Sequence, residues 1–79
     1  MINHNGLMVD PKAVSKKLGK RIQEVRSSRG LSQEQVALEA GLNRAYVGYI
    51  ERGERNPSIQ TVAKIANTLQ VPIDELFRF

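Results

Sequence analysis

Between Gln33 and Asn56, apart from four glutamates, the side chains able to do chemistry are of few kinds. Arg44, Arg52 and Arg55 carry planar forks of N–H donors. Gln33, Asn43 and Asn56 each pair an amide donor with an acceptor, and Tyr46 and Tyr49 add ring faces and hydroxyls. Such groups bind phosphate oxygens and the edges of bases. They are a poor set for moving protons or attacking carbonyls. The rest of the chain does not make up the shortfall. It has no cysteine, which removes disulfides, thiolate metal sites and cysteine nucleophiles together. The single histidine, His4, lies near a polar N-terminus and reads as solvated. One histidine leaves almost nothing for a Ser-His-Asp relay or a histidine-rich metal site. No catalytic residue, metal or cofactor is expected.

The balance of 41% hydrophobic and 25% charged residues is that of a folded globule. A chain of 79 residues makes one small domain. Such a domain buries only about 60% of its unfolded surface, so dimerisation would help it. The net charge of +4 points to a polyanionic partner, most simply nucleic acid. Residues 1–30 carry seven Lys and Arg against two acids, whereas residues 31–56 carry three against four. A central binding element must therefore act through geometry as well as charge. Lys12, Lys16, Lys17 and Lys20 read first as a solvated helix face. No apolar run approaches the roughly 18 residues of a membrane span, and the start lacks a signal-peptide plan. A cytoplasmic protein is expected.

The elements that must position these groups are helical throughout. Residues 1–9 show no period and are expected to form a mobile arm. Asp10-Pro11 opens a first helix with the stripe Val14, Leu18, Ile22 and Val25. Gly30 ends it, and Leu31 packs back. Ser32 to Gln35 forms a capping box for a short second helix, whose inward set is Val36, Ala37 and Ala40. Gly41 stops that helix. Asn43 caps a third, with Val47 and Ile50 facing the core and Gly53 at its end. Ser58 caps a fourth helix striped by Val62, Ile65, Ala66 and Leu69. Val71-Pro72 breaks it, and a short fifth helix follows from Ile73 to Phe77.

Two short helices joined by a tight glycine-containing turn, over residues 33–52, describe a helix-turn-helix. Ala37 is small where the third helix crosses, and Gly41 can take positive φ. Val36, Val47 and Ile50 lock the angle between the helices. With these positions filled, the sequence resembles the lambda-repressor-like (Cro/repressor, XRE-type) helix-turn-helix family over roughly residues 14–77. The resemblance rests on RGLSQEQVA at 29–37, IERG at 50–53, NPS at 56–58 and VPIDELF at 71–77. LNRAYVGYIERGERN at 42–56 is similar to the controller proteins of restriction–modification systems. Ala45 stands where their pattern has Ser or Thr, which leaves no hydroxyl for that contact.

The resemblance implies an all-α, five-helix domain over residues 10–79. It implies a homodimer on a palindromic double-stranded DNA operator in the bacterial nucleoid, with RNA polymerase a further candidate partner. Autoregulation of a promoter as a controller protein is the expected function. A phage-type repressor, a stand-alone regulator and an antitoxin-like protein-binding module are the alternatives. With no effector domain in the sequence, occupancy is expected to follow protein concentration. The resemblance also implies a partly buried ion pair, Arg26 with Glu51, that orients the third helix. The alternative is two exposed charges.

At about 100° per residue from Arg44, Val47 and Ile50 fall at about 300° and 240°, marking the core side. Ala45, Gly48, Tyr49 and Arg52 gather on the opposite side. Arg44 is expected at a base edge, Ala45 at a thymine methyl and Tyr46 at a base step or phosphate. Gln33, Asn43, Tyr49, Arg52 and Asn56 are expected at phosphates. The resemblance places Arg55 at bases or backbone. Against these stand plainer roles: solvated arginines, tyrosines partly in the core, and Asn56 shaping the turn. Gly48 allows close approach, to DNA or to the second helix. Ile73, Leu76, Phe77 and Phe79 are expected to form a dimer surface, unless Phe77 folds back into the core.

Overall fold

The computed structural model describes residues 9–79; apart from Val9, the expected arm lies outside the described residues. Four α-helices follow one another: α1 (Pro11–Ser28), α2 (Gln33–Ala40), α3 (Arg44–Glu51) and α4 (Ile59–Leu69). A 3-10 helix, Ile73–Phe77, ends the order. No strand occurs among the described residues.

Each α-helix starts at the cap its sequence supplies. Asp10 accepts from Lys12 N–H, with Pro11 at the first helical position. Ser32 and Gln35 close both bonds of the capping box, at 3.0 and 2.7 Å. Asn43 Oδ1 accepts from Ala45 N–H at 2.8 Å, and Ser58 caps α4 through Thr61 N–H. Gly41, at φ +69°, makes the turn between α2 and α3.

The core is drawn from every element: Leu18, Ile22 and Val25 of α1, Val36 of α2, Ile50 of α3, Val62, Ile65, Ala66 and Leu69 of α4, and Leu76. Two features correct the expectation at the C-terminal end. The fifth element is a 3-10 helix, so the described residues form four α-helices and one 3-10 helix rather than five α-helices. Five residues with no side-chain cap close i→i+3 bonds, as Glu75 N–H to the Pro72 carbonyl does at 3.0 Å. Leu76 is fully enclosed by the monomer's own core, which removes it from the expected dimer surface. The 3-10 helix projects this side chain inward and leaves Ile73, Phe77 and Phe79 exposed at 37%, 39% and 54%. Arg21 of α1 clasps the helix from outside, donating to the Glu75 carbonyl at 2.8 Å and to Glu75 Oε2 at 3.0 Å.

Where α1 crosses α3 the backbones almost touch. A Cβ on Gly19 would lie 2.7 Å from the Glu51 carbonyl oxygen. A Cβ on Gly53, which sits at φ +74°, would lie 2.8 Å from Lys16 Cα. The two glycines let α3 and its exit turn seat directly on α1.

Candidate nucleic-acid interface

α3 is fixed at its C-terminal end by a single buried carboxylate. Glu51, whose side chain is 3% exposed, receives Arg26 Nε at 2.6 Å on Oε2. Arg26 Nη2 reaches Oε1 at 3.0 Å, and Gln33 Nε2 donates to the same oxygen at 2.9 Å. Arg26 Nη1 also donates to the Leu31 carbonyl at 2.8 Å. Three helices and the α1–α2 turn thus converge on one side chain. Among the described residues no buried side-chain nitrogen or oxygen lacks a partner, so the charge sits in a satisfied network. Gln33 was expected at a phosphate; its side chain is bonded inward to Glu51 instead. No local sequence signal marks this, since Glu51 lies 18 residues further along the chain.

The opposite end of α3 opens to solvent. Arg44 and Ala45 are exposed on its first turn. Among the described residues Arg44 pairs with no carboxylate. Asn43 is exposed, with Oδ1 committed to the cap. Tyr46 is half-buried and packs against the core cluster, which favours the plainer of its two roles. Its angle explains this: at about 200° from Arg44 it neighbours Ile50.

The outward face of the later turns carries a cluster. The guanidinium carbons of Arg52 and Arg55 lie over the Tyr49 ring, 5.2 and 5.0 Å from its centroid. Arg52 Nε also meets Glu54 Oε2 at 3.2 Å. Gly48 is buried beneath this cluster. A Cβ there would lie 3.1 Å from Arg52 Nη1 and 3.8 Å from Gln33 Oε1, so its open side is covered by the chain's own side chains. Asn56 Oδ1 accepts a hydrogen bond from Ser15 Oγ of α1, tying the α3–α4 loop to the first helix. Among the described residues no group of His, Cys, Asp and Glu is arranged to hold a metal ion, and no helix is long and apolar enough to cross a membrane.

This arrangement is a short helix locked at one end and offered to solvent at the other. The profile of the HTH_3 helix-turn-helix family matches residues 22–76, from the middle of α1 to the buried Leu76. The chain belongs to that family. As an HTH_3 protein it is 39% identical over 62 residues to control protein C.BamHI of Bacillus amyloliquefaciens, covering 77% of this chain and 76% of that one. It is 41% identical over 61 residues to the HTH-type transcriptional regulator SlrR of Bacillus subtilis. That match covers 76% of this chain but only 40% of SlrR, a longer protein. The crystal structure of the restriction-modification controller protein C.AhdI from Aeromonas hydrophila superposes with a TM-score of 0.81 at 46% identity, over 82% of this chain and 98% of that one. The HTH_3 match includes Arg26, Gln33 and Glu51, all three members of the buried network.

Proposed function

We propose that this HTH_3 chain binds double-stranded DNA sequence-specifically as a homodimer and regulates transcription, as a controller protein acting at its own promoter. The observation that supports this reading is the exposed Arg44 on the opening turn of a helix whose other end is fixed through Glu51. A side chain that reads base edges must be free to reach them while its backbone is held still. Arg44 supplies the fork that matches guanine O6 and N7, and Ala45 supplies a methyl contact for thymine. Asn43, through its amide nitrogen, and the free backbone N–H groups that begin α2 at Gln33 hold phosphates. Ile73, Phe77 and Phe79 form the two-fold contact. The likeness to C.BamHI and C.AhdI favours the controller role over other HTH_3 regulators.

Footprinting on the DNA upstream of the coding sequence tests this. The wild type is expected to protect two symmetric half-sites about 34 Å apart. Arg44→Ala should lose protection at selected bases, at a cost of about 1–3 kcal/mol. Unchanged protection would remove Arg44 from the readout. Failure of the wild type to retard any duplex, together with co-purification of a small protein, would overturn DNA binding altogether.

A further inference from the structure

The Tyr49 cluster has a direction. Arg52 is its anchored end: it is the C-cap of α3, lies against Gly48 and pairs with Glu54. Arg55 is its free end, in the loop beyond Gly53. Among the described residues Arg55 meets no carboxylate, and its guanidinium lies over the Tyr49 ring, 5.0 Å from the centroid. Two guanidiniums over one ring repel each other, and the Glu54 carboxylate offsets the charge of Arg52 but not that of Arg55. The uncompensated positive charge of the cluster is therefore on Arg55. A long exposed arginine in a loop otherwise samples many rotamers, and ordering it on binding costs affinity.

We infer that Tyr49 is a positioning residue rather than a phosphate ligand: its ring, braced by Arg52, holds the Arg55 guanidinium ready for DNA. The inference rests on the DNA-binding reading and adds to it a division of labour that the sequence did not separate. Arg55 touches the nucleic acid, whereas Tyr49 and Arg52 act through it. The ring, not the hydroxyl, does the holding. Preorganisation of this kind raises affinity without adding a contact.

The test is a double-mutant cycle on the duplex that the wild-type protein enriches from a random library. Arg55→Ala and Tyr49→Leu are each expected to weaken binding by roughly tenfold. The double variant should be no weaker than Arg55→Ala alone. Tyr49→Phe should bind within about twofold of wild type, because the ring remains. Arg55→Ala should also lower the salt slope by about one. Tyr49 is exposed, so thermal melting of Tyr49→Leu close to wild type will show that folding is intact. Additive losses, or a Tyr49→Phe as weak as Tyr49→Leu, would overturn the inference while leaving DNA binding in place. A wild type that enriches no duplex would instead end the DNA-binding reading and this one with it.

Discussion

Glu51 carries more of the site than any residue that faces solvent. Its carboxylate accepts from Arg26 and Gln33, and the Arg26 side chain is itself only 13% exposed. Burying both charges is costly, and the bidentate geometry with its extra bonds is what offsets that cost. Removing one partner leaves the other stranded. Glu51→Ala is expected to lower stability by about 3–5 kcal/mol in urea unfolding, a large share of what a small domain has. The double replacement Arg26→Met with Glu51→Leu should recover much of the loss, since no charge is then left unpaired. It should not recover operator binding, because the directional bonds that set the angle of α3 are gone. A Glu51→Ala loss below about 1 kcal/mol would show the pair behaving as an exposed one.

At the scale of elements, the helices and their caps were legible because each rests on local rules. Asp10, Ser32, Asn43 and Ser58 cap where their types and neighbours predict. The crossing of α1 and α3 was not legible. Gly19 interrupts a good amphipathic helix at a cost of about 1 kcal/mol, and only the partner backbone shows why. Gly19→Ala would drive a methyl group into the Glu51 carbonyl. It is expected to destabilise by about 2 kcal/mol despite its better helix propensity, with the shift read from the urea midpoint. The end of α4 was legible only in part. Pro72 marks the break, but the helix stops at Leu69 because Gln70 adopts φ +59°, and Val71 N–H bonds the Ala66 carbonyl at 3.1 Å. A left-handed turn made without glycine is strained. Gln70→Gly is therefore expected to stabilise by about 0.5–1 kcal/mol, raising Tm by several degrees. A lower Tm would mean the glutamine side chain contributes more than its backbone costs. The site followed the same division. Arg44 could be read from its place on the first turn of α3, whereas the inward bond of Gln33 could not, because its partner lies 18 residues further along the chain.

For the whole molecule, assembly turns on the C-terminal end. The 3-10 helix is secured to its own domain by buried Leu76 and by Arg21 on Glu75. Ile73 and Phe77 on its outward side, and Phe79 beyond it, are only partly covered, at 37%, 39% and 54% exposure, and so carry less of the core than Leu76 does. The rings of Phe77 and Phe79 lie 6.3 Å apart, a contiguous apolar surface at the end of a basic domain. If two copies meet there, a dimer making about eight phosphate contacts should show log affinity falling with log salt at a slope near −7. Phe77→Ser with Phe79→Ser is expected to sediment as a folded monomer, with unchanged helical circular dichroism. Its salt slope should fall to about half, because each binding event then neutralises only one half-site's phosphates. Affinity for a single half-site should survive, since Arg44 and the Glu51 network are intact. A double variant that keeps both the dimer mass and the full slope would place the two-fold contact elsewhere on the surface, with exposed Leu38 and Ile59 the next apolar positions to change.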